Sequence, residues 1–323
     1  MRRQSGVALL TVLLLVAVMS VLVMSVLDDI RFGLRRASNA QSMAQAQWYA
    51  LGAETLAMAQ IDKLSAREPG RTTLVGDWND RPLVFPVEHG TISARLSDAT
   101  TCFNLNSVVE GAPELWQRND AGSRQFGALL HALDVPAHQA DALVDALVDW
   151  IDSDSVPGAL GAEDATYLSR TPAHRTSATL LAEPSELRAI AGFNDDIYIR
   201  LRPHVCALPT DEPSPINLNT LEDDDAVLLS MLTDRALGPD AARRLIRARP
   251  SGGWPDIDAF WSHRLMAGIE PAQSVREQVS LRTRFFALQS QIEYVDAQVV
   301  ASALFENDAG RTWLVARRLA PLE

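Results

Sequence analysis

The chain is almost without lysine, poor in cysteine, and lacks the glycine-framed motifs of common catalytic sites. Of its 29 basic residues only Lys63 is a lysine, and 41 acidic residues leave a formal net charge of −12. So acidic a balance argues against nucleic-acid binding, which relies on a basic face for phosphate. Cys102 and Cys206 are the two cysteines; they have no CxxC spacing and are too few for a structural zinc site. In an oxidising compartment an even pair suggests one disulfide, with two free buried thiols as the alternative. G-x-S-x-G and phosphate-cradling loops are missing, and His131, His138, His174 and Ser177 compose no triad signature. A metal-dependent hydrolase built on Asp149, Asp152 and Glu163 is the one enzymatic arrangement left; we read the chain as non-enzymatic.

What is present begins at the amino terminus. A short leader with Arg2 and Arg3 ends at Gly6, and residues 7–27 are then apolar except for Thr11, Ser20 and Ser25. About 21 residues at roughly 1.5 Å each span about 31 Å, the thickness of a hydrocarbon core. A secretory signal peptide is ruled out, since its apolar region runs only about 7–15 residues before a small-residue cleavage site. An ordinary signal anchor is the alternative. Helix formers continue past the apolar run and no proline appears before Pro69, which predicts a single helix of about 58 residues. Ala44, Leu51, Leu56, Ala59 and Leu64 recur at helical spacing and predict its packing face.

Beyond Glu68-Pro69-Gly70 the pattern changes. Strands are expected at 72–75, 83–87 and 92–96, the last alternating Ile92, Ala94 and Leu96 with polar residues. Helical patterns follow at 123–151, 185–191, 195–202, 223–232, 240–249 and 257–261. Strand character returns at 285–288, 291–303 and 313–319, with a hairpin turn at Asn307-Asp308-Ala309-Gly310. The expected class is α+β: a long amino-terminal helix on an antiparallel sheet, with a mostly helical domain inserted in it. The expected boundaries are 1–6 for the leader, 7–27 for the membrane half of the helix, 28–100 for the rest of the helix and first strands, 101–280 for the insertion, and 281–323 for the returning strands.

Two features of the insertion invite chemistry. Asp145, Asp149 and Asp152 fall at i, i+4 and i+7 on one helical face. Asp154 lies just beyond them, and Glu163 and Asp164 return after Pro157-Gly158. Carboxylates this close repel, and a hard cation relieves the repulsion; calcium takes six to eight oxygens. The offsets are not those of an EF-hand, and a solvated acidic helix end is the alternative. Separately, Phe103-Asn104-Leu105-Asn106 echoes Ile216-Asn217-Leu218-Asn219-Thr220, as an internal repeat or as two helix caps.

These motifs carry two resemblances. The leader ending in Gly6, directly followed by Val7-Ala8-Leu9-Leu10, resembles the class III leader of type IV prepilins and type II secretion pseudopilins. That implies cleavage between Gly6 and Val7 by a prepilin peptidase and methylation of the new amino group. Next, Cys102-Phe103-Asn104-Leu105-Asn106, Asp149-Trp150-Ile151-Asp152-Ser153-Asp154, Gly161-Ala162-Glu163-Asp164, Ser185-Glu186-Leu187-Arg188, Gly192-Phe193, Ala207-Leu208-Pro209 and Ile216-Asn217-Leu218-Asn219-Thr220 occur along the chain. Together they resemble the K-type minor pseudopilins of type II secretion, over essentially the whole chain. The resemblance implies a helical domain inserted in a pilin fold, and calcium bound in that domain. The implied ligands are Asp152, Asp154 and Glu163, with Asp149 and Asp164 as further candidates. It implies a single-pass inner-membrane protein with a periplasmic body, joining I- and J-type minor pseudopilins and the other pseudopilins of the fibre. The implied place is the pseudopilus tip, where the complex primes the fibre that exports folded proteins through the outer membrane. Pilins and most pseudopilins carry glutamate where this chain has Thr11, the fifth residue after Gly6. The competing reading is a membrane-anchored helix-hairpin-helix DNA-binding protein of a competence-type machine. It rests on 216–261, but Pro239 offers no amide to phosphate, and Glu222, Asp223, Asp224 and Asp225 would repel it.

Overall fold

A computed structural model of the chain describes residues 5–319, with side chains from residue 7. Of the expected leader, residues 1–4 lie outside the described residues. The first element, α1 (Ser5–Arg67), is one unbroken helix. Its apolar part has a mean hydropathy of 3.0, and none of that part is buried within the protein. Two hydroxyls inside it close on the helix itself: Thr11 donates to Ala8 O at 2.9 Å and Ser20 to Val16 O at 2.8 Å.

The next elements run in chain order. A hairpin, β1 (Arg81–Val87) and β2 (Gly90–Asp98), leads to the short strands β3 (Phe103–Asn104), β4 (Val109–Glu110) and β5 (Gln117–Arg118). Helices α2 (Asp120–Ala132), α3 (Ala137–Ile151), α4 (Asp164–Leu168) and α5 (Asp195–Leu201) precede β6 (Val205–Cys206). Then come α6 (Ala226–Leu232), α7 (Pro239–Arg247), α8 (Ile257–Trp261) and α9 (Gln273–Gln278). Finally β7 (Phe285–Tyr294), β8 (Ala297–Asp308) and β9 (Arg311–Leu319) return to the sheet. The sheet order is β1-β2-β7-β8-β9, antiparallel throughout, so β7 inserts beside β2 as though the intervening residues were one long loop. This is the expected α+β arrangement.

The helix lies on the sheet through a face of small residues. Ala46, Ala50, Ala53, Ala57 and Ile61 are buried against Ile92, Leu96, Phe286, Leu288, Ile292 and Phe305. The expected face is therefore a correction: Ala44 and Ala59 are exposed, Leu51 and Leu64 half-buried, and Leu56 is 59% exposed. Alanine lets a helix axis approach the sheet closely, and the bulkier leucines rotate to the flanks. At one margin Arg317 clamps the buried Glu54 carboxylate with two hydrogen bonds of 2.5 and 2.6 Å.

Three local expectations also change. Residues 72–75 form a loop rather than a strand, and the Thr72 N–H donates to Leu281 O at 2.7 Å. The strand expected over 291–303 is divided by a turn, with Val295 at φ 52°, so Tyr294 pairs with Ala297 across it. Residues Pro184–Ala189 are a 3₁₀ segment, not an α-helix.

Inside the insertion one hydrogen-bonding device is used twice. Asn104 accepts from the Asn106 N–H at 3.3 Å, and Asn217 accepts from the Asn219 N–H at 2.9 Å. Asn106 then grips the backbone of Leu181, accepting from its N–H at 2.7 Å and donating to its carbonyl at 2.9 Å. Asn219 grips Trp254 in the same way, at 2.6 and 3.3 Å. Each unit closes by a parallel pairing with its own start: Phe103 with Val205 in one, Asn217 with Ser280 in the other. These asparagines are buried brackets for two helical units, not mere helix caps.

The second unit meets the sheet and both chain crossings at one buried carboxylate. Asp98, at the end of β2, accepts from the Thr100 N–H (2.6 Å), Thr100 Oγ1 (2.5 Å), Thr220 Oγ1 (2.7 Å) and Thr283 Oγ1 (2.5 Å). Asn217 Nδ2 adds bonds to Thr72 O at 3.0 Å and Thr283 Oγ1 at 2.9 Å. Burial pushes the Asp98 carboxyl above its usual range, outweighing the hydrogen bonds that favour the ionised form. The first unit is spanned by a Cys102–Cys206 disulfide, with Cα atoms 5.7 Å apart and a sequence separation of 104.

Two outcomes follow. Asp98→Ala removes the acceptor shared by four buried donors and should cost about 3 kcal/mol in denaturant unfolding, Asp98→Asn less. The folded protein holds the Asp98 proton more tightly than the unfolded chain, so this site's contribution is present at low pH and is lost as pH rises through the raised value. Reducing the disulfide should cost up to about 4.7 kcal/mol by chain entropy, read as a shift of the denaturant midpoint.

Candidate cation site

The acidic loop begins where α3 ends. Leu143, Leu147 and Ile151 face the core of the first unit, which turns Asp145 and Asp149 toward the loop that follows. Asp152 leaves the helix with φ −66° and ψ 169°. Just after it the β4–β5 hairpin holds the chain: the Ser153 N–H donates to Trp116 O at 3.0 Å, and the Trp116 N–H donates to Ser153 Oγ at 2.9 Å. The loop then folds back onto α3. Both Asp149 oxygens accept from the Gly158 N–H at 3.1 Å, and Asp145 accepts from the Leu160 N–H at 3.0 Å and from Arg118 at 2.7 Å. A Cβ at Gly161 would collide with the Asp149 carboxylate, so this close approach needs glycine.

That folding brings Glu163 to the helix end. Carboxylate oxygens of Asp152, Asp154 and Glu163 lie within 4.8 Å of one another. Asp152 and Glu163 are 7% and 6% exposed, and Asp152 Oδ1 and Glu163 Oε1 are buried with no hydrogen-bond partner. Asp154 stands at the open side, one oxygen accepting from the Val156 N–H at 2.7 Å. Burial pushes the Asp152 carboxyl up to about 7, with Asp154, Asp149 and Glu163 adding repulsion. Glu163 is also raised, by burial first and then by Asp149. Two buried carboxylate oxygens left without a donor are what a hard divalent cation satisfies. The set fits calcium: three carboxylates, with loop carbonyls and water to complete six to eight oxygens.

The other two candidates lie outside this cluster. Asp149 is engaged by the Gly158 amide. Asp164 is held below the usual carboxylate range by the Thr176 N–H at 3.0 Å, by Arg175 at 2.5 Å and by the Thr176 hydroxyl at 3.1 Å. Sequence reasoning missed the holders of the loop, Trp116, Ser153 and Gly161. Their signal was weak, since a serine and a glycine in an acidic stretch read as ordinary loop residues. At the would-be phosphate hairpin, Gly238 caps α7 and Pro239 is its first residue. There the Arg247 guanidinium is committed to Asp223 at 2.5 Å.

A helix of membrane-spanning length running on into an antiparallel sheet, with a two-unit helical insertion, defines a pilin-type subunit with an enlarged head. Within that class, the family described as type II secretion system (T2SS), protein K, matches residues 101–210 and, by a second model of the same description, 216–282. The chain is similar to the type II secretion system protein K of Klebsiella pneumoniae, 34% identical over 98% of this chain and 96% of that one. It is 33% identical to that of Pectobacterium carotovorum, at the same two coverages. In the solved GspK–GspI–GspJ complex from enterotoxigenic Escherichia coli, a chain 30% identical superposes with a TM-score of 0.77, covering 89% of this chain and 100% of that one. The chain belongs to the protein K family of the type II secretion system, the K-type minor pseudopilins. The two matched segments coincide with the two asparagine-bracketed units.

Calcium should raise the melting temperature of the protein by an amount that grows with the ion's excess, about 2.7 kcal/mol at a hundredfold over Kd. Asp152→Asn should abolish most of that gain while leaving α1 helical by circular dichroism. The ion-free fold keeps the Asp152 proton more tightly than the unfolded chain does, so its stability at this site falls as pH rises through about 7. Calcium competes with that proton, so its stabilising effect should be larger at pH 8 than at pH 5.5. A melting temperature indifferent to calcium and chelator at both pH values would contradict the assignment.

Proposed function

We propose that this chain is the tip subunit of a type II secretion pseudopilus, anchored by 7–27 in the inner membrane with its body in the periplasm. There it joins I- and J-type minor pseudopilins and primes assembly of the fibre; it performs no catalysis of its own. The observation that carries this reading is Thr11. A glutamate at that depth costs on the order of 2.5–3.5 kcal/mol in lipid and needs a partner. In a pilin-type fibre that partner is the amino terminus of the subunit above. A subunit with nothing above it has no use for the carboxylate, and Thr11 closes its hydroxyl on Ala8 O instead. The insertion supports the same place: a head enlarged by residues 101–280 clashes within a helical shaft but not at its end. On this reading Gly6–Val7 is the prepilin peptidase site, and calcium held by Asp152, Asp154 and Glu163 stiffens the distal part of the head.

The test uses the full chain with its fibre subunits. Cysteines placed beside Thr11 should cross-link only to subunits below, and a label on the head should mark one end of each fibre. Labels repeated along the shaft would overturn the tip assignment. Thr11→Glu should slow fibre initiation without changing the amount of protein in the membrane.

A further inference from the structure

The two edges of the sheet are finished differently. At β1, Val87 and Gly90 close a two-residue turn as a hydrogen-bonded pair, so Arg81, Leu83, Phe85 and Val87 bond β2, and the backbone of Pro82, Val84 and Pro86 faces outward. Pro82 and Pro86 have no N–H, and this edge is closed to a further strand. At β9 the outcome is the opposite. Asp308 and Arg311 close the turn at Ala309-Gly310, so Arg311 and Trp313 bond β8, while Thr312 and Leu314 direct their N–H and C=O away from the sheet. Among the described residues none of these outward backbone groups has a hydrogen-bond partner. No proline interrupts β9, and Thr312-Trp313-Leu314-Val315-Ala316 carries no charge.

An uncharged, β-prone run on a free edge is a liability that folded proteins suppress with proline, charge or a cover. Here the prolines stand on the other edge, and Arg317 and Arg318, which follow the run, are turned to Glu54 and to Glu183. A bulge at Val315, between the pairs Leu314–Phe305 and Ala316–Leu304, confines the regular edge to Arg311–Leu314. Beside that edge α1 supplies a wall. Glu54 and Asp62 reach β9 through Arg317 and Thr312, and Leu51 and Met58 share their helical stripe, at i−3 and i+4 from Glu54. Both are half-buried. Their apolar side chains flank the place, about 4.8 Å beyond β9, where one more strand would run.

A row of unpaired N–H and C=O groups is satisfied by one class of ligand, an extended chain. We infer that β9 is a β-addition edge: it takes an extended segment of a pilin-type partner as a sixth strand beside the five of the sheet. The side chains of that segment on the α1 side are apolar and meet Leu51 and Met58. This rests on the reading that the chain assembles with pilin-type partners, and it names the surface used. A subunit one step lower in a helical fibre stands beside this body, so a tip subunit can use the edge with nothing above it.

The test co-expresses the full chain with its I- and J-type partners and compares the assembly, in detergent, with the chain alone by residue-resolved hydrogen exchange. The Thr312 and Leu314 amides should exchange fast in the chain alone and about a hundredfold more slowly in the assembly, while the Trp313 amide, already bonded to β8, changes less than about threefold. Thr312→Pro removes an outward N–H that β8 does not use, and should lower recovered partner about tenfold. Thr312→Val keeps the N–H and loses the hydroxyl, and should change recovery less than about twofold. If the partners are recovered while both outward amides exchange at unchanged rates, the edge is wrong and the assembly reading stands. If the wild-type chain recovers no partner, both fall. Even protection of 311–314 without alternation marks a cover that is not a strand, and protection of the chain alone that rises with its concentration marks a second copy; either overturns the assignment. Should Thr312→Pro fail to fold, the wild-type exchange pattern decides alone.

Discussion

The architecture depends on one buried acid, Asp98. A domain of 101–280 could hang from a sheet on two strands of chain and swing, and nothing in pilin-type topology alone prevents that. Here three remote stretches converge on a single carboxylate: the chain leaving β2, the start of the second helical unit at Thr220, and the chain re-entering β7 at Thr283. Each donor is buried, so none can trade its bond for water without opening the joint. Asn217 carries the network on to Thr72, in the loop directly after α1. Helix, sheet and insertion therefore meet at one polar knot, and the orientation of the head is a property of the fold.

Seen from that knot, the two helical units take different work. The second is the base: its bracketing asparagines contact the joint, Arg71 reaches Trp254 O at 3.5 Å, and Asn79 reaches Glu222 at 3.2 Å. The first stands further out, tied to the body by Ser214 on Thr100 O and by Arg318 on Ala182 O and Glu183. Only the first carries the long acidic loop between its second helix and its bracketed residue. Its disulfide joins the entrance of that unit to β6, and the cation cluster lies at the end of α3. A distal unit with long loops lacks the sheet for support, and the disulfide supplies a covalent cross-link in its place.

The sequence made some of this legible and concealed the rest for physical reasons. The 5–67 helix was readable because an apolar run and a proline-free continuation leave no alternative. The insertion was readable because helical periodicity interrupts period-two alternation between Leu96 and Phe285. The packed face of α1 was not: hydrophobicity favours leucine, but close helix–sheet contact selected Ala46, Ala50, Ala53 and Ala57. The β7–β8 turn was hidden because Val295-Asp296 carries no glycine or asparagine, and Val295 takes a positive φ anyway. Asp152, Asp154 and Glu163 stood out as acidic residues, but which carboxylates remain free depends on loop amides invisible in a pattern: Asp149 and Asp164 are spent on Gly158 and Thr176. The asparagine repeat was visible as an echo, and its meaning needed the partners Leu181 and Trp254, far along the chain.

The central claim is that the head and the pilin body move as one. Spin labels at exposed Leu115 in the first unit and exposed Trp313 on the sheet report it directly, by pulsed dipolar distance measurement. A single narrow distance distribution is predicted, broadening when Asp98 is replaced by alanine. A broad or two-peaked distribution in the wild-type protein would contradict the account.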